Sequence, residues 1–243
     1  MRRYGDIKYW EEHYKNVEED TTFDWLEEYP SLKEIISSLK ISKESGKILN
    51  VGCGNSELSE NMYDDGYNNI YNIDISNTVI NIMTERSKNR PGMIYEVMDV
   101  CDIKYDNNLF DLVIDKSTMD ALLCGDDYCI TIAKMLKEIQ RVLKVDGYYM
   151  IISYEEPDYR MMHLKRKFLK FNVEIKKIEQ NTVGGTLYDN YHYIYLCKKL
   201  EGADEVSEKF FDETIKELIE QEEFEEGDEW QEEKEYKENK NEK

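Results

Sequence analysis

The segment KILNVGCGNSELSENMYDDGYNNIYNIDIS, residues 47–76, constrains the fold of this chain more than any other. It begins with β-forming residues that lead into Gly52-x-Gly54, continues with a helical pattern, and ends with an apolar run that stops at Asp74. A strand, a glycine turn, a helix and a second strand make one βαβ unit with parallel strands and a right-handed crossover. Ligands of such sheets bind beyond the carboxyl ends of the strands. The segment therefore predicts an open α/β sheet with a ligand at the glycine turn.

Apolar runs and helical patterns alternate through the central part of the chain. Strands are predicted at 47–52, 70–74, 93–98, 109–114, 146–153, 172–180 and 190–198. Helices are predicted at 31–39, with Ser31 as its N-cap, and at 56–66, 76–88, 117–123 and 128–143. Because only the glycine-containing segment NTVGGTLYD separates the last two strands, they should form an antiparallel hairpin. The predicted fold class is α/β, a doubly wound seven-stranded sheet that is mostly parallel with an antiparallel C-terminal hairpin.

Three zones are expected along the chain. Residues 1–46 are aromatic and charged, residues 47–200 carry the α/β pattern, and residues 201–243 form an acidic tail. The tail begins with a helical pattern, and from about residue 222 it consists mainly of Glu and Lys. We expect its first half to dock as a helix and the rest to be disordered.

The net charge of -21 restricts the partners of the chain. Residues 201–243 contain 19 acidic residues and six lysines. This balance argues against nucleic-acid binding, which requires a basic surface, and it suits a basic protein partner. A solvated tail without a partner explains the acidic run equally well.

Neither a membrane segment nor a metal site is expected. No apolar run reaches the roughly 18 residues of a membrane span, and the first residues lack the apolar core of a signal peptide. The five cysteines include no Cys-x-x-Cys pair, and the three histidines are scattered. We therefore expect a soluble, cytoplasmic protein with reduced cysteines; no pattern indicates its oligomeric state.

The glycine turn favours a ligand without a pyrophosphate. Gly52 and Gly54 allow the backbone to turn sharply and to approach a ligand closely. A dinucleotide site needs a further small residue at the position of Glu57, and the carboxylates of Glu57 and Glu60 would repel phosphates. NAD and FAD are therefore disfavoured, and a cationic ligand is favoured.

Two aspartates that follow strands suggest an adenosine group in that ligand. Asp74 stands at the end of the second strand, where a carboxylate can accept hydrogen bonds from both ribose hydroxyls. Asp99 follows the third strand, and with the backbone amide of Val100 it could bind an adenine edge. Asp74 could equally be the N-cap of the next helix.

Four segments, LNVGCGNSELSE, NIDIS, VMDV and DLVIDKSTMDALL, resemble motifs of the Rossmann-like (class I) S-adenosylmethionine (SAM) methyltransferases. More narrowly, they resemble the methyltransferase-like group that modifies lysines or the N-terminal amine of translation elongation factor 1-alpha. The resemblance runs from about Tyr9 to Lys199, and its most specific part is the run that begins at Asp115. In that run, Ser117 and Met119 replace the usual Gly and Leu of the family.

The resemblance implies SAM as cofactor, S-adenosylhomocysteine as product, and a protein lysine as acceptor, possibly in elongation factor 1-alpha. Residues 1–46 would cap the cofactor site. The implied cofactor-binding residues, together with Gly54 from the glycine turn, are Trp10, Tyr14, Trp25, Gly52, Gly54, Asp74, Ile75, Asp99, Val100 and Lys116. The three N-terminal aromatics could instead only attach their segment to the core.

Asp115 and Asp120 are the candidates for catalytic, substrate-side roles, because a lysine must lose a proton before it can attack a methyl group. Asp120 could equally lie on a helix surface. The basic run that contains Arg160 and residues 165–167 should form a helix that covers the sheet. Two alternative functions remain at this stage, a small-molecule methyltransferase and a SAM-binding pseudoenzyme that acts as a scaffold.

Overall fold

A computed structural model describes residues 4–18, 21–179 and 191–221. Its strands are β1 (Ile48–Val51), β2 (Ile70–Asp74), β3 (Met93–Val97), β4 (Phe110–Lys116), β5 (Leu143–Ser153), β6 (Phe171–Glu179) and β7 (Tyr191–Lys199). They form one seven-stranded sheet in the order β3-β2-β1-β4-β5-β7-β6. The first five strands pair in parallel, and β7 pairs antiparallel with both β5 and β6. The predicted fold class is confirmed.

The strand order reverses at β1, which determines where a ligand can bind. β1 pairs with β2 on one side and with β4 on the other. The connections that leave β1 and β4 therefore run to opposite faces of the sheet, and a crevice opens between them at the carboxyl ends of the strands. The glycine turn and the Asp115 run both lie at this crevice.

The helices are α1 (Ile7–Lys15), α2 (Tyr29–Ser38), α3 (Leu58–Asp64), α4 (Asn77–Arg86), α5 (Thr118–Leu122), α6 (Tyr128–Val142), α7 (Pro157–Leu164) and α8 at 203–221. The sequence did not predict α1, because a single residue of this short helix, Tyr14, is buried and no apolar run marks it. α8 matches the predicted helical half of the tail. The predicted disorder after residue 222 and the connection within the C-terminal hairpin lie outside the described residues.

Two helix predictions were wrong. Ser31 is not the N-cap of α2, because the helix begins at Tyr29 with Pro30 in its first turn and Glu28 at the N-cap position. The Ser31 hydroxyl instead donates hydrogen bonds to the Glu27 carboxylate and the Glu28 carbonyl. The basic run is also not all helical, since α7 ends at Leu164, before residues 165–167.

Apolar side chains cover both faces of the sheet, so all four residues of β1 are buried. On one face, α6 contributes residues such as Ile132, Leu136 and Ile139 to the larger core. On the other face, α2 and α3 contribute Leu32, Ile36 and Leu58 to a second core. The buried sheet holds the ends of its strands, and hence the crevice, in a fixed arrangement.

α8 packs against the larger core and is fixed by polar contacts at its start. The fully buried Lys199 ammonium donates hydrogen bonds to the Asp204 carboxylate and to the Leu143 carbonyl. Phe211 of α8 packs edge-on against Phe168, with ring centroids 5.1 Å apart. No helix in the described part of the chain combines the length and the apolar character that crossing a membrane requires.

Candidate functional site

A cavity of about 660 Å³ lies at the carboxyl ends of β1, β2 and β4 and extends under the N-terminal segment. Its size is typical of a small-molecule site. Its lining includes all of the predicted cofactor residues, namely Trp10, Tyr14, Trp25, Gly52, Gly54, Asp74, Ile75, Asp99, Val100 and Lys116. Asp120 also lines the cavity, whereas Asp115 does not.

The glycine turn forms part of the cavity wall. Gly52 and Gly54 have φ angles of +57° and +52°, in the left-handed region that favours glycine. A Cβ on Gly52 would lie 2.1 Å from Thr118 Oγ1, and one on Gly54 would lie 2.7 Å from the Tyr14 hydroxyl. Both positions therefore require glycine, and backbone atoms form the cavity wall there.

The Asp74 carboxylate is buried beside this turn. Its Oδ2 accepts a hydrogen bond from the Gly54 amide at 2.9 Å, and its Oδ1 accepts one from the Ser76 amide at 3.0 Å. Ser76, not Asp74, is the N-cap of α4, so the alternative interpretation of Asp74 as an N-cap is wrong. Burial raises the pKa of Asp74, while the two amides oppose this shift. Each oxygen keeps a further lone pair, so the carboxylate can accept two hydroxyl groups of a ligand.

Asp99 and Val100 line the cavity just after β3, two strands away from β1 and its glycine turn. Asp99 is exposed, and its Oδ1 accepts a hydrogen bond from the Cys101 amide at 2.8 Å. Val100 is buried at 8% exposure. This pair offers one carboxylate and one apolar side chain to a flat ligand group.

An aromatic cap, which we define as Tyr4, Trp10, Tyr14, Phe23 and Trp25, covers the cavity. Trp10 stacks on Tyr14 with centroids 6.0 Å apart, and Trp25 meets Trp10 edge-on at 6.4 Å. The Trp10 indole N–H donates to the Tyr4 carbonyl at 2.7 Å. Aromatic faces attract cations and exclude water, so the cap suits a positively charged ligand group.

Asp24 joins the cap to both strands of the crevice. Its carboxylate accepts hydrogen bonds from the Ser56 hydroxyl and the Glu57 amide at the start of α3. It also forms an ion pair with Lys116 at 2.9 Å, and Lys116 donates to the Trp25 carbonyl at 3.2 Å. Burial lowers the pKa of Lys116, and Asp24 opposes that shift. Sequence analysis missed Asp24, because its partners are more than 30 residues away along the chain.

Glu11 holds α1 against α4. One of its oxygens accepts hydrogen bonds from the Ser76 hydroxyl and the Thr78 amide, and the other accepts one from the Thr78 hydroxyl at 2.6 Å. These bonds, led by that of the Thr78 side chain, lower the pKa of Glu11 to about 2. A charged carboxylate at the first turn of α4 also complements the helix dipole.

Asp115 is fully buried and its oxygens are engaged by the protein. They accept hydrogen bonds from the Thr118 amide at 2.8 Å, from the Met119 amide, and from the Tyr149 hydroxyl at 2.8 Å. Burial raises the pKa of Asp115 to about 6. Asp115 therefore caps the first turn of α5 and is separated from the cavity.

Asp120 faces the cavity and is not on a helix surface. It is 6% exposed, and its Oδ1 accepts hydrogen bonds from the Ser153 hydroxyl at 2.6 Å and from the Arg160 guanidinium. Arg160 is 1% exposed, so the pair is buried. The helix-surface alternative for Asp120 is wrong, because α7 and the end of β5 enclose this side of α5.

The cavity residues fit a ligand that combines an adenosine with a cationic centre. Backbone atoms of the glycine turn form one wall of the cavity, and Asp74 provides a buried carboxylate that can accept hydrogen bonds from two hydroxyls. The rings of the aromatic cap can attract a cation through their faces. Among residues 4–18, 21–179 and 191–221, no group of three or more His, Cys, Asp or Glu side chains could hold a metal ion.

Comparison with protein families identifies part of the chain. Residues 49–151 match the family model described as a methyltransferase domain. The "eEF1A lysine and N-terminal methyltransferase" of Mus musculus is 40% identical over 155 residues, which is 63% of this chain and 22% of that protein. The protein of the same name from Danio rerio is 37% identical over 203 residues, or 82% of this chain and 29% of that protein. The chain thus spans less than a third of the length of these relatives.

A relative of more similar length is the "EEF1A lysine methyltransferase 4" of Mus musculus, which is 27% identical over 66% of each chain.

Among solved structures, one that describes conversion of a disulfide bond into a thioacetal group during echinomycin biosynthesis aligns with a TM-score of 0.64. It is 16% identical and covers 84% of this chain and 97% of its own. A SAM-dependent methyltransferase from Methanosarcina mazei aligns with a TM-score of 0.51 at 17% identity, over 68% of this chain and 97% of its own. Identities this low show the fold alone.

Proposed function

Because residues 49–151 form a class I methyltransferase domain that resembles those of the eEF1A methyltransferases, we propose that the chain is a SAM-dependent protein methyltransferase. Its acceptor is an amine, most simply a lysine side chain. The observation that carries the proposal is that ten residues between Trp10 and Lys116, assigned to the cofactor by sequence, line one cavity.

Each side of the cavity has a role toward the cofactor. Asp74 would accept hydrogen bonds from the ribose hydroxyls, Asp99 and Val100 would hold the adenine, and Gly52 and Gly54 would let the backbone approach the rest of the molecule. The aromatic cap would lie near the sulfonium. When bound, SAM supplies a methyl carbon that accepts the lone pair of the amine while its sulfur keeps the electrons of the broken C–S bond.

The protein contributes mainly alignment and the exclusion of water. Methyl transfer requires the nucleophile, the methyl carbon and the sulfur in line, and rigid positioning accounts for much of such a rate increase. The buried sheet supports the glycine turn and Asp74, while Asp24 and Glu11 hold the cap over them. The amine must be neutral to react, so a proton acceptor beside the cavity is needed as well.

Charge supports a protein acceptor. The net charge of -21 favours a basic protein, and elongation factor 1-alpha is the substrate in the names of the relatives. We place the activity in the cytoplasm, where translation elongation factor 1-alpha, the substrate in the names of the relatives, acts.

The test is incubation of the pure protein with isotope-labelled SAM and a cell lysate, followed by gel separation and peptide mapping. We expect a labelled protein band, with the label on a lysine, that is absent with the Asp74→Asn variant. Label confined to small molecules would indicate a small-molecule methyltransferase. SAM binding without any label would indicate a pseudoenzyme.

A further inference from the structure

Two turns beside the mouth of the cavity contain the same kinds of residue. LCGDDY, residues 123–128, connects α5 to α6, and YEEPDY, residues 154–159, follows β5 and enters α7. Together they contain five acidic residues and three tyrosines but no lysine or arginine. Cys124 of the first turn and Tyr154 of the second both line the cavity. The two turns therefore form one surface at the mouth, which we call the acidic surface and define as residues 123–128 and 154–159 with Met162.

The five carboxylates of the acidic surface lack cationic partners in the described parts of the chain, where none of them forms an ion pair. Asp127 and Glu156 stand at the N-cap positions of α6 and α7, yet neither side chain caps its helix. Like charges in one patch repel each other. A cation that binds here from another molecule would therefore lower the free energy of the surface.

Large apolar groups accompany these carboxylates. Tyr154 is 55% exposed, Tyr159 is 64% exposed and Met162 is 62% exposed. Tyr159 and Met162 are three residues apart on α7, so they lie on the same side of the helix, while residues such as Arg160 and His163 form its buried side. A cluster of exposed apolar groups is typical of an interaction site.

This combination of groups favours arginine and lysine side chains as ligands. Their aliphatic stems pack on apolar side chains, while their charged ends pair with carboxylates. A cation over the face of a tyrosine is attracted further by the ring. An uncharged apolar partner would bury carboxylates without a counter-charge, and an acidic partner would be repelled.

We propose that the acidic surface binds an extended basic segment of a partner protein, whose arginine and lysine side chains lie over the tyrosines and between the carboxylates. This inference rests on the proposed function, because the segment belongs to the acceptor protein and flanks the residue that enters the cavity. Cys124 and Tyr154 join the surface to the cavity, so a segment bound there passes the mouth. The surface thus selects acceptors by the basic residues around the modified position.

The test is the affinity of the full chain for hexa-arginine with an N-terminal fluorescein, measured by fluorescence anisotropy at physiological ionic strength. The surface variant combines Glu155→Gln, Glu156→Gln and Asp158→Asn. Because three exposed charge pairs are lost, we expect it to bind the peptide about tenfold more weakly than the wild type.

A matched control is needed because the net charge of -21 attracts any polycation. The control variant removes three exposed carboxylates of α8, Glu208→Gln, Asp212→Asn and Glu220→Gln. It has the same net charge as the surface variant and should bind the peptide with nearly the affinity of the wild type.

A second pair of variants tests the apolar groups. Tyr159→Ala combined with Met162→Ala should weaken peptide binding by about threefold or more, because the arginine stems lose their packing surface. Both side chains are exposed, so the fold does not depend on them. Ile219→Ala, which removes an exposed apolar side chain of α8, is the control and should have no effect.

The proposal would be overturned by equal affinity of the surface and control variants, since the peptide would then respond only to net charge. Unchanged affinity after loss of Tyr159 and Met162 would also contradict it. Spermine that binds the wild type as tightly as the peptide does, and loses affinity in the surface variant, would make this a polyamine site instead of a docking surface for a protein.

The probe contains no lysine, so its binding does not depend on methyl transfer. A chain that binds the peptide at the acidic surface but labels no protein with isotope-labelled SAM would refute the proposed function. A chain that labels a protein but binds the peptide equally well in the surface and control variants would refute the docking surface alone.

Discussion

At the residue scale, Ser117 occupies a left-handed turn that favours glycine, the residue expected here from the motif that the sequence resembles. Its φ angle is +69°, and its buried hydroxyl has no hydrogen-bond partner among the described residues. Left-handed backbone costs a non-glycine residue about 1 kcal/mol or more. The chain therefore carries backbone strain at this turn.

We predict that Ser117→Gly stabilises the protein by about 1 kcal/mol relative to Ser117→Ala. Both variants remove the hydroxyl, but only glycine relieves the left-handed conformation, so their difference isolates the backbone effect. Urea denaturation measures it. Equal stability of the two variants would mean that position 117 is not strained.

Asp24 is the residue whose loss should most affect the cap. Asp24→Asn weakens its bonds to Lys116 and to the Ser56 hydroxyl, and a charge-assisted bond contributes about 1.5–3 kcal/mol. We expect the affinity for SAM to fall by about tenfold in calorimetry. Glu28→Gln is the matched control, because Glu28 is exposed and its side chain does not cap α2. Unchanged affinity in Asp24→Asn would show that the cap does not depend on this contact.

At the element scale, α1 is an added helix that packs on α4 through Tyr14 and Trp10 and is tied to it by the carboxylate of Glu11. Of its nine residues only Tyr14 is buried, so the hydrogen bonds of Glu11 to α4 contribute much of its docking. The pKa of Glu11 lies at about 2, below its unfolded value of about 4.5. A depressed pKa stabilises the docked state at pH values above 4.5, and this contribution is lost as the pH falls toward 2.

We predict that Glu11→Gln loosens α1 at pH 7 and that wild type and variant converge as the pH falls from 4.5 toward 2. Limited proteolysis near α1, or fluorescence of Trp10, reports the docking. Glu12→Gln serves as the control, since Glu12 is exposed on the same helix. A difference between wild type and Glu11→Gln that persists unchanged at pH 2 would contradict this account.

The sheet, and the grouping of the ten candidate residues around one cavity, could be predicted because their signals are local. Residue types and short hydrophobic periods predict a strand that ends in Gly52-x-Gly54 and a strand that ends in Asp74. Because the two strands are parallel, their carboxyl ends lie at the same edge of the sheet. The residues at which helices begin were harder to predict, and Ser31 is an example. A serine often forms an N-cap, but Pro30 in the first turn places the start of α2 earlier.

Contacts between distant parts of the chain could not be predicted. Lys116 and Asp24 are separated by 92 residues, and Asp120 and Arg160 by 40, with no periodic pattern that relates them. Both candidate catalytic aspartates stand in the same short run, and only the structure separates the buried helix cap, Asp115, from the cavity residue, Asp120. Tertiary packing decides which side of the turn each carboxylate faces.

At the scale of the whole molecule, the acidic charge should affect the rate of encounter with a basic protein. We predict that methylation of purified elongation factor 1-alpha at subsaturating concentration slows as salt increases, because screening weakens steering between opposite charges. SAM binding, measured over the same salt series, is the control and should change much less. A methylation rate that is independent of salt would exclude electrostatic steering.

The most direct test of the central claim is a crystal structure of the protein with S-adenosylhomocysteine. The account predicts the ligand in the cavity beneath the aromatic cap, with its ribose hydroxyls on Asp74 and its adenine beside Asp99 and Val100. A ligand bound elsewhere, or a cavity that stays free of it at saturating concentration, would contradict the claim that this cavity is the SAM site.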